Sequence, residues 1–346
     1  MYEFLHTLPP QNVPSAEALR FAFSREVRDR SQALRLSGEA WDSNRTGALE
    51  LRDFLDGLPL EEARDVRPHA ASDDGVHDGF FYIKRVDGVR SAIFLRSLVW
   101  TNRLLLLDIE ESPFQICTDQ LDLVDRALAA IQAWTLGVTH APARRVAIWK
   151  SAGGPYRSMR RWIRGHQIFS ALTQGLLAAL GELRGALSRG DGPSADVAVD
   201  LIVVLLRGAG ASLRFTGDMP SDDYLNIIRP SMAPPLVPET FSGVLSSDHR
   251  WFLRVLREMK PALDSLRAQR PEHHASIAQA VAGVYDSHKF VCDRLVGKSP
   301  SLMMSSSDNN ASGAEQIEHF KKLRMRVFEQ GHDSPAPREE TNSIHA

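Results

Sequence analysis

The chain has few of the features that mark secreted, membrane or nucleic-acid-binding proteins. Only two of its 346 residues are cysteine, which excludes a disulfide framework and fits a reducing compartment. The net charge is −2, so we expect no basic surface for nucleic acid. No apolar run is long enough to span a bilayer, and the first residues lack the basic start and apolar core of a signal peptide. We therefore expect a cytoplasmic protein without nucleic-acid or membrane partners.

What the sequence does contain is a recurring helical pattern. Its apolar fraction of 43% is enough for a large core, and apolar stripes with helical spacing recur between residues 96 and 328. These stripes predict an all-α fold, built as a bundle of helices. We expect an N-terminal helical arm at 1–66, a catalytic helical domain at 67–330 and a disordered polar tail at 331–346.

Two segments interrupt the helical pattern. Residues 80–95 carry two short β-prone runs around Asp87-Gly88, a dipeptide typical of hairpin turns. They form either a small β-hairpin or the beginning of the helix that follows. The segment 216–245 contains five prolines, so we expect a cover or lid rather than regular elements there.

An oxygen-rich stretch at 42–53 matches much of a calcium-binding loop. Oxygen side chains stand at positions 1, 3 and 5 of the loop pattern, Gly47 at position 6 and Asp53 at position 12. An aspartate reaches less well than a glutamate as the bidentate ligand, and no second loop pairs with this one. The alternative is a capped polar turn between helices, and both interpretations stay open.

The most informative residues lie late in a helix predicted for 271–296. His288 and Cys292 are four residues apart and therefore share one helix face, one turn apart. A neutral imidazole is a good axial ligand for haem iron, and a thiol one turn further along lies over the edge of the macrocycle, where a vinyl group stands. Chance occurrence is the simplest alternative. A zinc site needs further ligands, and Cys117 is far away in sequence.

A second pattern is a stripe of arginines at helical spacing, formed by Arg157, Arg160, Arg161 and Arg164. Their spacing of i, i+3, i+4 and i+7 places them on one face of a helix. In the functional interpretation one arginine binds a carboxylate or a haem propionate bidentately. In the structural interpretation the stripe is solvated or contacts acidic helices.

A His-x-x-x-Cys motif near the end of an all-helical chain, followed by a Ser/Gly-rich loop at 304–313, resembles the haem-dependent tyrosine hydroxylases. These enzymes are relatives of tryptophan 2,3-dioxygenase and of the pyrrolnitrin-pathway haem enzyme. The family pattern has an earlier histidine, a position that His249 or His274 fits. The block at 153–166 also resembles that group, and the likeness covers about residues 70–330.

The resemblance implies a helical bundle that encloses haem. It also implies hydroxylation of the ring of tyrosine, or of a methylated tyrosine, to a catechol in antibiotic biosynthesis, with hydrogen peroxide or dioxygen as the oxidant. In that family His288 would be the axial iron ligand, and Cys292 would join haem through a thioether.

The reaction that the resemblance implies needs further groups around the cofactor. A distal base must move a proton, and His77 is the first candidate and His69 the second, because each stands beside a polar turn. The substrate carboxylate needs a cation, and its phenol needs a hydrogen bond. The residues assigned to these contacts are Arg157, Arg161, Ser306 and Ser307 for the substrate, and Arg164 and Ser305 for haem.

Several alternatives remain at this point. L-Tyrosine, which would give L-DOPA, differs from 3-methyl-L-tyrosine by one methyl group, worth only about 1–3 kcal/mol in a pocket. A tryptophan-type haem oxygenase is a further alternative. From another class, a non-catalytic helical protein that binds haem or a partner helix also fits the residues. The sequence leaves a homodimer open.

Overall fold

The computed structural model describes residues 4–20, 22–23, 64–65, 73–137, 149–238, 241, 246–297 and 312–329. The predicted all-α class is confirmed, with one small sheet added to it. In chain order the elements are β1 (Leu5–Thr7), α1 (Ala16–Arg20), β2 (Arg64–Asp65), α2 (Asp73–Phe80), β3 (Ile83–Asp87), α3 (Arg90–Glu111), α4 (Thr118–Thr135), α5 (Ser158–Arg189), α6 (Gly192–Thr216), α7 (Ser221–Asp223), a π-helix (Tyr224–Ile228), α8 (Arg229–Ser231), α9 (Ser247–Glu258), α10 (Lys260–Gln269), α11 (Pro271–Leu295), α12 (Gly313–Met325) and a final 3₁₀ turn (Arg326–Phe328).

Helix α6 forms the centre of the bundle and packs against α5, α4 and α11. It begins at Asp191, whose side chain accepts a hydrogen bond from the Ser194 N–H at 3.1 Å. Small residues let its neighbours approach closely. A Cβ on Gly208 would lie 2.2 Å from the Cβ of Ala127, so only glycine fits where α6 meets α4. This close packing fixes the positions of α5 and α11 and therefore of the side chains that they direct inward.

The segment predicted as either a hairpin or a helix start contains both a strand and a helix. Residues 83–87 form β3, which pairs in parallel with β1 and antiparallel with β2. From Arg90 the chain is helical, because Ile93, Phe94 and Leu98 bury a helical stripe in the core. Tertiary burial therefore decides the structure of the second half against its β propensity. The turn at Asp87-Gly88 joins a strand to a helix rather than two paired strands.

The proline-rich segment is more regular than we predicted. Residues 221–231 form a continuous helical stretch with a π-helix at its centre, and the side chains of Tyr224 and Ile228 are the buried ones of this stretch. Pro230 is tolerated because it lies in the first turn of α8, where a missing N–H costs no intrahelical hydrogen bond. This stretch covers one side of the cavity described below.

Other sequence predictions lie outside the described residues. These are the calcium-type loop at 42–53, most of the N-terminal arm and the tail at 331–346. The boundary between an arm and a catalytic domain therefore stays a prediction. Among the helices that the structure describes, none is long and apolar enough to cross a membrane.

Candidate active site

A largely apolar cavity lies between α2, α5, α9, α11 and α12, and four of the chain's twelve histidines line it. They are His77 on α2, His166 on α5, His249 on α9 and His288 on α11. Aliphatic and aromatic side chains form most of the remaining wall. A group of imidazoles in an apolar cavity is typical of a site for a ligand or cofactor.

The predicted His-x-x-x-Cys face points into this cavity from α11. His288 and Cys292 both line it, one helical turn apart. Burial lowers the pKa of His288 to about 4, so its imidazole is neutral at pH 7 and has a lone pair for a metal. Burial, helped by Asp293, raises the pKa of Cys292 to about 11 and keeps the thiol protonated. Gly313, the first residue of α12, would place a Cβ 3.6 Å from this sulfur.

The structure separates the two candidates for the earlier histidine of the family pattern. His249 lies in the first turn of α9, where its N–H donates to the Ser246 hydroxyl at 3.4 Å, and its side chain lines the cavity. Burial is the main cause that lowers the pKa of His249 to about 4. His274 is not among the described residues that line the cavity, and its ring packs 5.6 Å from that of Phe328. The geometry therefore places His249, rather than His274, beside His288.

His77, the first candidate for the distal base, is buried and lines the same cavity. Its ring lies 4.8 Å from that of Phe81 and 6.3 Å from that of Phe241, and its Nδ1 is 3.6 Å from Oδ1 of Asp78. Burial alone would raise the pKa of Asp78, but Arg85 and His77 more than offset that effect and lower it. Asp78 is therefore a carboxylate beside the imidazole. His69, the second candidate, lies outside the described residues.

One buried arginine connects the segments that carry two of these histidines. Arg85 donates from Nε to Asp78 at 2.7 Å and from Nη1 to Asp248 at 2.9 Å, and all three side chains are shielded from solvent. Asp78 directly follows His77, and Asp248 directly precedes His249. The guanidinium therefore holds α2 and the start of α9 in a fixed relation. Our sequence reasoning missed Arg85, because no pattern within its own segment marks it as part of an ionic cluster.

His166 is a further cavity histidine to which the sequence analysis gave no role. Its Nδ1 lies 2.7 Å from the carbonyl oxygen of Trp162, and its ring stacks on Phe81 with 3.8 Å between centroids. Burial is the main cause that lowers the pKa of His166 to about 3. The imidazole is therefore neutral, and its orientation is set by the rings on either side.

The arginine stripe lies on the opposite side of α5 from the cavity. Arg161 is fully buried and donates to Asp108 at 2.7 Å, while Arg164 lies 3.0 Å from Glu111. Arg157 is exposed at the start of α5. The cavity lining contains none of these three arginines. Their placement fits the structural interpretation, in which the stripe contacts an acidic helix, here α3.

The cavity wall also carries a positive charge. Arg229, at the end of the π-helix, is the only lysine or arginine among the described residues that line the cavity. The sequence analysis did not select it, because it stands alone in a proline-rich segment. Ser305, Ser306 and Ser307 lie outside the described residues.

Comparisons with known proteins agree with this architecture. A family model described as SfmD 3-methyl-L-tyrosine peroxygenase matches residues 6–276. A 3-methyl-L-tyrosine peroxygenase from Streptomyces lavendulae is 32% identical over 202 residues, which are 58% of this chain and 55% of that protein. The chain thus aligns with just over half the length of this relative. A crystal structure of reduced SfmD, soaked with sodium hydrosulfite, aligns with a TM-score of 0.68 and 24% identity over 83% of this chain and 97% of that one, which shows the same fold.

Proposed function

Since this chain belongs to the SfmD 3-methyl-L-tyrosine peroxygenase family, we propose that it is a haem-dependent enzyme that hydroxylates the ring of a tyrosine-type amino acid. The substrate we propose is L-tyrosine, with L-DOPA as the product and hydrogen peroxide or dioxygen as the oxidant. The relative from Streptomyces lavendulae is named for 3-methyl-L-tyrosine, so the methylated amino acid is the second candidate. The reaction belongs to the biosynthesis of an antibiotic in this proposal.

One observation carries the proposal. The neutral imidazoles of His249 and His288 and the thiol of Cys292 converge on a single apolar cavity. Neutral imidazoles ligate iron, and apolar walls suit a porphyrin face. In the described part of the chain no group of three or more His, Cys, Asp or Glu side chains is arranged to hold a bare metal ion. This donor set fits haem, which brings four ligands of its own.

The residues of α11 hold the cofactor in this proposal. His288 would hold the iron of haem through its neutral imidazole, and His249, which faces the same cavity, would be the earlier histidine of the family pattern. Cys292 would attach the group to the chain through a thioether. Haem, when bound, supplies the redox chemistry that activates the oxidant and delivers oxygen to an aromatic ring.

Two further side chains have roles around the reacting centre. His77 would move a proton at the oxidant, and the carboxylate of Asp78, which Arg85 clamps, lies 3.6 Å from its Nδ1. Arg229 is the proposed partner of a carboxylate, because it brings a positive charge to the cavity wall. His69 stays the second candidate for that base, and the serines at 305–307 stay the proposed cofactor and substrate contacts.

The experiment that tests the proposal combines an optical spectrum with turnover. Protein purified from cells supplied with a haem precursor should be red and should convert L-tyrosine to L-DOPA with hydrogen peroxide. His288→Ala should lose the Soret band or shift it strongly, because the axial ligand is gone. His273→Ala changes another histidine of the same helix that does not line the cavity, and it should keep the wild-type spectrum.

The cysteine pair tests the covalent link in the same preparation. Acid butanone should leave haem on the wild-type chain and on Cys117→Ser, whose side chain is exposed, but should extract haem from Cys292→Ser. If haem is extracted freely from the wild type, the proposed thioether is wrong, and a tryptophan-type oxygenase is favoured. A protein that stays colourless after haem addition would contradict the proposed function and support a non-catalytic helical protein. Parallel assays with 3-methyl-L-tyrosine decide between the two substrates.

A further inference from the structure

His166 presents a hydrogen-bond acceptor with a defined tautomer to the cavity. A carbonyl oxygen only accepts, so the contact of 2.7 Å between His166 Nδ1 and the Trp162 carbonyl requires the proton on Nδ1. The other nitrogen, Nε2, therefore carries the lone pair. No residue in the described part of the chain donates a hydrogen bond to Nε2. This nitrogen is also not among the buried polar atoms that lack a hydrogen-bond partner. Because the pKa of His166 is lowered to about 3, the ring accepts a hydrogen bond without taking up the proton.

A hydroxyl donor also lies next to Trp162. The rings of His166 and Trp162 have centroids 4.6 Å apart, and those of Trp162 and Tyr224 are 5.5 Å apart. Tyr224 lines the cavity, and its hydroxyl makes no hydrogen bond to any described residue. Burial raises the pKa of Tyr224 to about 12, so its hydroxyl keeps its proton and can donate.

The backbone around Tyr224 is also unusual. Tyr224 begins the π-helix, a form that is rare in proteins and frequent at functional sites. The wider turn of this helix sets both Tyr224 and Arg229 along the cavity wall. A plain α-helix would distribute these two side chains differently around its axis, because its turns hold fewer residues.

The chemistry of this pair selects its ligand. One neutral acceptor and one neutral donor match a hydroxyl group, which donates with its hydrogen and accepts with its oxygen. A carboxylate offers no hydrogen to His166, so its lone pairs would face the lone pair of Nε2. The surrounding rings of Phe81 and Phe241 suit an aromatic carrier of that hydroxyl.

We propose that His166 and Tyr224 form the subsite for the phenol hydroxyl of the substrate, which donates to His166 Nε2 and accepts from the Tyr224 hydroxyl. This inference rests on the proposed function and adds a rule of specificity to it. A site that hydrogen-bonds a substrate hydroxyl rejects an analogue without it, because two buried polar groups then lose their partner. Phenylalanine and tyrosine should therefore bind very differently.

The first test deletes the hydroxyl from the ligand and leaves the protein unchanged. Equilibrium dialysis of the haem-loaded wild type should give L-tyrosine at least about 50-fold tighter binding than L-phenylalanine. A ratio below about 3 overturns the proposal, since the aromatic ring alone would then account for binding. This measurement does not depend on the folding of any variant.

The second test deletes the same interactions from the protein. Tyr224→Phe removes one oxygen and should weaken L-tyrosine binding about 10-fold while changing L-phenylalanine binding less than about 2-fold. His166→Phe should reduce the tyrosine-to-phenylalanine ratio further, whereas His166→Gln should restore part of it through its amide oxygen. Tyr156→Phe, outside the cavity lining, makes the same deletion and should leave the ratio unchanged.

The outcomes separate this subsite from the proposed function. If Tyr224→Phe and His166→Phe weaken both ligands equally, the two residues have only a structural role and the subsite is wrong, even where the enzyme hydroxylates tyrosine. If the ratio behaves as expected but the haem-loaded protein does not hydroxylate L-tyrosine, the subsite stands and the proposed reaction fails. The binding ratio and the turnover are therefore independent readouts.

Discussion

The two faces of α5 have opposite chemistry although their residues alternate in the sequence. One face carries Arg161 and Arg164, which pair with the acidic side chains of α3. The other carries Trp162 and His166, which line the cavity without any charge. Helix α5 thus places its cations against carboxylates of another helix and keeps its cavity face neutral. Neutral side chains on that face leave the lone pairs of the imidazoles available to a metal or a hydroxyl.

The face of α5 that carries Arg161 and Arg164, the ionic face, should be destabilised most by removal of the buried Arg161. Arg161→Met should lower the free energy of unfolding by about 3–5 kcal/mol, because Asp108 loses its hydrogen-bonded partner inside the core and keeps only the longer contact of 3.5 Å with Arg164. Arg160→Met, whose side chain is 32% exposed, should cost at most about 1 kcal/mol. Urea denaturation of both variants measures the difference. Equal effects would mean that burial of the Arg161 ion pair does not matter.

Sequence reasoning found the arginine stripe and offered contact with an acidic helix as one interpretation, but it could not identify the partner residues, for a physical reason. Helical spacing shows which residues share a face, whereas the partner of that face depends on tertiary packing. Asp108 lies among leucines in α3 and gave no sign of meeting an arginine more than fifty residues away. The His288 and Cys292 face was predictable because both residues lie on one helix. The choice of His249 over His274 was not, since it depends on how α9 packs against its neighbours.

Arg85 shows the same limit on a local scale. Its segment alternates like a strand and does form β3, but the sequence suggested no buried ionic cluster there. The Asp78 and Asp248 carboxylates come from segments far apart in the chain. Patterns within one helix or strand can therefore be predicted from the sequence, whereas clusters formed between elements become visible only in the folded structure.

Acid should destabilise the protein first through the histidines of the cavity and only at lower pH through the ionic face. The pKa values of His166, His249 and His288 are lowered to between about 3 and about 4, whereas an unfolded histidine titrates near 6.5. Between those values the unfolded chain binds protons that the folded chain does not, so stability falls as pH drops from about 6.5 towards 4. Each histidine should lower the free energy of unfolding by at most about 1 kcal/mol as the pH falls from 6.5 to 5.5.

The ionic face responds in a lower pH range. Burial would raise the pKa of Glu111, but Arg164 and Arg160 more than offset this and lower it below its usual value of 4.5. Its contribution is complete above that value and is lost only as pH falls through the lowered pKa. Thermal melts of haem-free protein from pH 7.5 to 4.5 measure the slope. His249→Phe should flatten it by about a third, and an unchanged slope would mean that other groups control acid sensitivity.

Two glycines of α5 test how closely this helix packs, and the second of them gives the smallest expected effect. A Cβ on Gly165 would lie 2.0 Å from Oγ1 of Thr216, so Gly165→Ala should force α5 away from the end of α6 and cost about 1–3 kcal/mol. Gly181 has no atom within 4 Å of such a Cβ, and there alanine should stabilise the helix by about 0.5–1 kcal/mol. Denaturation curves of both variants test the sign. Because Gly165 is the direct neighbour of both Arg164 and His166, its variant should also disturb the tyrosine-to-phenylalanine binding ratio, while Gly181→Ala should not. A stabilising Gly165→Ala would show that α5 and α6 are less closely packed at this point than the structure indicates.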